Sequence, residues 1–300
     1  MEWLLLAFSV FLGATKSILS KRVNTNGNGM QQTVKANIVL FFFAFCFIGV
    51  FVAFNVENWS VPWVLAIAYA VCVLFSQISL MKAVEYGSVA ISSLFYSCGF
   101  IIPTVWGCIY FQEGINILHI VGIALILLAF ILSVEKKQGK SLHLKWLIAA
   151  LGGTLFSGLV GVIQKIFGKQ QTSYSLDLFL FISFAIIIVL NAIIFGLYCF
   201  KKEDKKNENQ EIKTIKKTDW ITVFFMAVLG VVMGGINKLN TYLAGVLPSV
   251  VMFPATNGGV IVMSAVLSAI IFKEKLAKKQ IFSILLGFIA IVIIAVGQNI

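Results

Sequence analysis

The sequence predicts an all-α integral membrane protein of ten transmembrane helices, arranged as two inverted five-helix repeats. Three observations lead there. Segments of about 20 apolar residues, the length that crosses a bilayer as a helix, recur almost end to end along the 300 residues. Only 12% of residues are charged, roughly half of what a water-facing surface of this size requires. And the chain resembles itself when slid by 161 positions.

The spans fall near 3–20, 34–54, 63–84, 89–111, 115–134, 145–165, 177–200, 220–243, 249–272 and 280–297. The first begins Met1-Glu2-Trp3 and turns apolar at once. It lacks a basic n-region and a small-residue cleavage site, so it reads as a retained helix. Lys21–Thr33, with its Asn-Thr-Asn-Gly-Asn-Gly turn chemistry, joins the first two spans. The next spans follow one another closely and are therefore antiparallel neighbours. Pro103 is a helix-break candidate in the fourth span, as is Pro254 in the ninth, where Gly258-Gly259 also loosen the helix. Gly230-x-x-x-Gly234 in the eighth span is a small-residue face for close packing. The first five spans make one repeat, 1–134. A connecting loop, 135–144, precedes the second repeat, 145–300, which carries a charged surface loop at 201–219. Trp59, Trp63, Trp146 and Trp220 stand at span edges, where interfacial aromatics sit.

The formal charge of +11 resides in short loops and not on an extended face, which indicates lipid headgroups as the acidic partner and excludes nucleic acid. Eighteen of the 23 basic residues lie in the loops after the first, fifth, seventh and ninth spans, against Lys165 and Lys169 on the other side. The positive-inside rule puts those four loops in the cytoplasm and both termini outside a cell (plasma or inner) membrane. Cys46, Cys72, Cys98, Cys108 and Cys199 lie within apolar runs without metal-ligand spacing. His119 and His143 are isolated. No metal and no cofactor is implied, the phosphate-cradling Gly-rich signature is missing, and the chain is not expected to be an enzyme. Oligomeric state is left open, a monomer being compatible with everything above.

The 161-residue shift aligns Trp63–Glu113 with Phe224–Glu274 without a gap, nine of 51 pairs being identical. Both segments end alike, Tyr-Phe-Gln-Glu against Ile-Phe-Lys-Glu. Five helices is an odd number, so the second copy enters the membrane upside down, as in carriers with a site between their repeats.

Polar residues inside spans mark that site. A charge at the bilayer centre costs roughly 2.5–3.5 kcal/mol on insertion scales, so an intramembrane lysine faces a partner or a water-filled cavity. Lys238 sits in Asn237-Lys238-Leu239-Asn240-Thr241-Tyr242. Asn237, Asn240 and Thr241 share one helical face, and Lys238 and Tyr242 form a neighbouring pair. The shift sets Lys238 opposite Gln77, Asn240 opposite Ser79, and Asn257 opposite Tyr96. Lys16, late in the first span, either lines the cavity or snorkels to the interface. Gln164 and Asn191 read as ordinary bonds between packed helices. Every carboxylate, including Glu113 and Asp177, reads as terminal or in a loop, so Lys238 is expected to lack a protein counter-ion and to take a substrate anion.

The stretch Ala83-Val84-Glu85-Tyr86-Gly87-Ser88-Val89-Ala90, Pro103, the turn Phe111-Gln112-Glu113 and Gly122, with their echoes at Ala244–Ser249 and Phe272-Lys273-Glu274, resemble the drug/metabolite transporter superfamily, EamA-like branch. Ser283 stands where the second glycine belongs. The resemblance implies ten helices, alternating access, and a central cavity lined mainly by the third, fourth, eighth and ninth spans. The expected function is a secondary transporter or facilitator of a small anionic or zwitterionic metabolite, amino-acid-like or another carboxylate. Alternatives are an exporter of drugs or of sugar-like or lipid-linked solutes and, from another class, a non-transporting receptor or subunit.

Overall fold

The computed structural model describes residues 1–23, 30–55, 59–87, 89–133, 144–170, 173–203, 220–272 and 278–298. All regular structure among them is helical: α1 (Glu2–Val23), α2 (Met30–Asn55), α3 (Trp63–Tyr86), α4 (Val89–Ser97), α5 (Ile101–Tyr110), α6 (Ile117–Ser133), α7 (Leu144–Gly168), α8 (Leu176–Glu203), α9 (Trp220–Val246), α10 (Ser249–Phe272) and α11 (Lys278–Gly297). A helix satisfies its own backbone polar groups, which is what the interior of a bilayer demands. Nine spans among the described residues are long and apolar enough to cross, and Ile117–Leu132 is a shorter apolar helix.

α4 and α5 are one span broken in the middle by a 3₁₀ turn, Cys98–Phe100. Pro103 lies just beyond it and has no N–H to give the preceding turn, so this break candidate is a real break. Pro254 is not: α10 runs through it unbroken. The Thr256 hydroxyl donates to the Met252 carbonyl at 2.8 Å and the Asn257 amide to Phe253 at 3.0 Å, so side chains occupy the carbonyls around the proline. α6 starts on a reciprocal cap. Asn116 Oδ1 accepts the His119 N–H at 3.0 Å, and His119 Nδ1 accepts the Asn116 N–H at 3.2 Å, a capping box with histidine in the glutamate place. The Asn116 amide also donates to the Gly297 carbonyl at the end of α11.

Small residues set the packing, as they do where lipid offers no hydrophobic drive between helices. A Cβ at Gly230 would stand 2.6 Å from the Leu40 carbonyl oxygen, and one at Gly234 2.9 Å from the Phe47 ring. The Gly-x-x-x-Gly face therefore seats α9 on α2. Gly122 lies against Ala290 and Ile294 of α11, and the Ser283 hydroxyl of α11 donates to the Ala129 carbonyl of α6 at 2.7 Å.

Neither half of the sequence packs by itself. One buried cluster joins Phe41, Ile48 and Tyr69 to Phe167, Phe179 and Phe184, so α2 and α3 share a core with α7 and α8. The other joins Leu6, Ile126 and Phe130 to Val251, Phe253 and Ala290. Among helix pairs, α3 lies on α7 and α1 on α9; α2 lies on α8, α6 on α11, α1 on α10, and α4–α5 on α7. Trp59 and Trp63 are exposed, as interfacial aromatics should be. Trp146 is not at the interface: it is 3% exposed, packs with Ala83 and Ala150, and donates to the Ser92 hydroxyl at 3.0 Å. A buried indole N–H needs such a partner. Trp220 and Cys199 have side chains outside what the structure describes.

Candidate functional site

α9 carries the polar face that the sequence singles out, and four neighbouring helices answer it. The Tyr69 hydroxyl of α3 donates to Asn237 Oδ1 at 2.6 Å. Asn237 in turn gives its amide to the Met233 carbonyl at 2.8 Å. The Ser9 hydroxyl of α1 donates to Asn240 Oδ1 at 2.6 Å. Gln164 of α7 donates to the Thr241 hydroxyl at 3.3 Å. Asn237, Asn240 and Thr241 thus do share a face, and it points into the bundle because α1, α3 and α7 surround it with polar partners of their own. Gln164 joins α7 to α9, as a polar residue between packed helices is expected to do.

Lys238 is not without a counter-ion. Its Nζ lies 2.7 Å from Asp177 Oδ1 and 3.6 Å from the centroid of the Phe51 ring. Asp177 is terminal, in the first turn of α8, yet that turn begins at the same depth that Lys238 reaches two turns back from the end of α9. Sequence position hid the pairing, because only antiparallel packing brings the start of one helix beside the end of another. The expectation of an unpaired ammonium is therefore corrected. The pair is close but not aligned as a hydrogen bond, and Asp177 Oδ1 is buried without a hydrogen-bond partner. The Lys238 side chain keeps 29% of its exposure and Asp177 keeps 13%, so the pair is reachable. Such an arrangement leaves a carboxylate oxygen able to accept a donor and an ammonium able to give one.

The remaining sequence-picked residues scatter. Gln77 accepts the Asn37 amide of α2 at 2.9 Å, outside the Asn237 network. Ser79 packs against Gly152 of α7. Tyr96 is half-buried. Asn257 is turned back on its own helix, Tyr242 is exposed, and Lys16 is half-buried on α1. The polar cluster therefore draws chiefly on α1, α3, α7, α8 and α9. α10 does not contribute. Tyr69 escaped sequence reading because an aromatic in an apolar run looks like core. Its spacing of seven and eight residues before Ser76 and Gln77, two helical turns on one face, is the signal that marks it.

A second ion pair lies nearer the membrane surface on the same side as the termini. Lys165 is wholly buried in the last turn of α7, not a loop charge. Its Nζ is 2.5 Å from Glu113 Oε1 and donates to the Leu247 carbonyl at 2.9 Å. Glu113 Oε2 accepts the Ser249 N–H at 2.6 Å, at the first turn of α10, where a helix dipole favours an anion. Burial by itself pushes the Glu113 carboxyl up, but Lys165 and the Ser249 N–H outweigh it and hold it below the ordinary range. Gln112 has a φ of 52°, a left-handed turn that swings Glu113 back under the bundle. The Phe-Gln-Glu motif thus has a physical job: it delivers one carboxylate to a buried lysine and a helix start.

The model of the EamA-like transporter family matches residues 144–296. A Haemophilus influenzae protein described as uncharacterized is 22% identical over 224 residues, covering 71% of this chain and 69% of its own. One crystal structure superposes with a TM-score of 0.73 at 11% identity, over 98% of this chain and 97% of that one; at that identity the likeness concerns the fold alone.

Proposed function

The chain belongs to the EamA-like transporter family, and from that premise we infer that it is a carrier moving a small zwitterionic or anionic metabolite across a cell membrane by alternating access. The observation that carries this reading is the reachable Lys238–Asp177 pair beside a belt of neutral donors and acceptors. A carboxylate on the substrate would take Lys238, and an ammonium would take the Asp177 oxygen that Lys238 gives up. Exchange of one ion pair for another leaves the total buried charge unchanged, which keeps the cost of entry low. Asn237, Asn240, Tyr69 and Gln164 would bind the neutral groups of the same molecule.

Two inverted repeats support the alternating-access part. The 161-residue shift converts Gly122 and Ala290, which touch, into Ser283 and Ala129, which also touch. It relates Gly99, lying on Gly158 of α7, to Val260, lying on Gly13 of α1. Helix pairs exchange in the same sense: α3 on α7 becomes α1 on α9. Such exchange is what a two-fold axis in the membrane plane produces.

Radiolabel uptake into proteoliposomes, with monodispersity as the folding control, tests the reading. Lys238→Ala reduces uptake of carboxylate substrates to background while the protein stays folded. Asp177→Asn loses zwitterions and keeps simple carboxylate anions. Normal transport by Lys238→Ala, or a preference for organic cations, refutes the assignment.

A further inference from the structure

The two membrane-facing ends of the bundle differ at positions that the 161-residue shift relates. Toward the end holding the termini, Phe100, Pro103, Gly107, His119 and Gly122 are all buried. A Cβ at Gly107 would run into the Ser249 hydroxyl and Glu113, and one at Gly122 into Ile294. Toward the opposite end, the related positions are Ile261, Ser264, Ser268, Gln280 and Ser283. Those residues line a cavity of about 240 Å³ between α1, α6, α10 and α11. One volume is filled with side chains, and its counterpart is open space.

The Glu113–Lys165 cluster closes the first at Gly107. It ties three separate elements together: the α5–α6 connection through Glu113, the end of α7 through Lys165, and the start of α10 through the Ser249 N–H. Beside it the ends of α7 and α9 meet backbone to backbone, since a Cβ at Gly168 would stand 2.6 Å from the Gly245 Cα. We propose that Glu113, Lys165 and the first turn of α10 form a gate at the termini end, shut in this conformation, whose opening is coupled to closure of the serine-lined cavity at the other end.

The chemistry suits a gate better than a permanent joint. A buried ion pair is a poor source of net stability, because its attraction is largely offset by lost hydration. Separated and wetted, each charge recovers that hydration, so shut and open states lie close in free energy. A seal of buried leucines would have no such compensation. The inference rests on the carrier reading, but its test reads shape and not transport.

Two single-cysteine reporters, Ser249→Cys at the gate and Ser264→Cys in the cavity, are placed in a chain whose five native cysteines are replaced by serine. A membrane-impermeant maleimide is added separately from each side of sealed vesicles. With Glu113 and Lys165 intact, the thiol at 264 labels and the thiol at 249 is protected. Adding Glu113→Gln or Lys165→Met raises labelling at 249 severalfold and lowers it at 264. If 249 stays protected, or if it opens while 264 is unchanged, the coupled gate is wrong. Should neither variant give monodisperse protein, Glu113→Asp, which keeps the charge and shortens its reach, is read in the same way with a smaller change expected, and unchanged labelling there refutes the gate equally. Reciprocal labelling in vesicles that move no solute would keep the gate and overturn the carrier.

Discussion

Lys165 and Lys238 solve the same problem in different degrees. Both are cations within membrane-spanning helices, and both meet a carboxylate from the first turns or connection of a neighbouring span. Lys165 is sealed, so removing its partner strands a charge. Glu113→Ala should destabilise the purified protein, seen as a lowered melting temperature, by less than the roughly 3–5 kcal/mol of a pair that stays buried, because opening lets water reach Lys165; a loss of that full size would mean that the charge stays sealed. The acid limb follows from the direction of the Glu113 shift. A carboxyl held below its unfolded value contributes fully above the ordinary carboxylate range, and that contribution is lost as pH falls through the folded value. Melting temperature should therefore stay flat from neutral pH to about pH 5 and fall below about pH 4. In Glu113→Gln part of that fall should be missing. Identical acid limbs in the two proteins would place the titrating group elsewhere.

At the level of elements, glycine and serine decide which helices meet. Gly230→Leu would drive a side chain into the Leu40 carbonyl, a backbone atom that cannot turn aside, and should destabilise the α2–α9 contact by roughly 1–3 kcal/mol. Gly122→Val meets Ile294 and the Ala290 carbonyl and should separate α6 from α11 in the same range. Ser283→Ala only removes a hydrogen bond between helices, worth about 0.6 kcal/mol in membrane proteins. Thermal denaturation in one detergent should rank the three in that order of severity, the serine variant last. A serine variant as damaging as Gly122→Val would show that Ser283 does more than bridge α6 and α11. The Gly-x-x-x-Gly face was legible in sequence because its spacing is its mechanism. The fourth and ninth spans were not: Pro103 follows a 3₁₀ break in its helix and Pro254 does not interrupt α10, although the two prolines look alike in sequence.

For the whole molecule, orientation is a matter of charge. Burial of Lys165 removes it from the count of loop residues, leaving Lys169 exposed on the termini side, while Lys82 adds an exposed cation at the other end of α3. Most of the eighteen basic loop positions lie outside the described residues, and the charge bias is a property of the sequence. It predicts both termini outside the cytoplasm. A C-terminal alkaline phosphatase fusion should be active and the matching fluorescent-protein fusion dark; the reverse pattern would show that the charge bias does not set the topology.

Hydropathy and charge by themselves determined that this is an all-helical membrane protein, where its apolar segments lie, nine of those described being long enough to cross a membrane, and that α9 carries a polar face. These follow from the solvent, which acts on each segment locally: a stretch of twenty apolar residues needs no partner to prefer lipid. The repeat and the Phe-Gln-Glu turn also pointed to the family. Only the tertiary structure decided which charges meet. Asp177 and Glu113 look like surface residues in sequence because they lie at segment ends, and antiparallel packing carries those ends against Lys238 and Lys165. It likewise turned Trp146 inward, made the core ring of Tyr69 a hydrogen-bond donor as well, and sent Asn257 back to its own helix. Pairing between distant segments depends on how helices cross, and crossing is fixed by contacts summed over whole faces, which no local pattern contains.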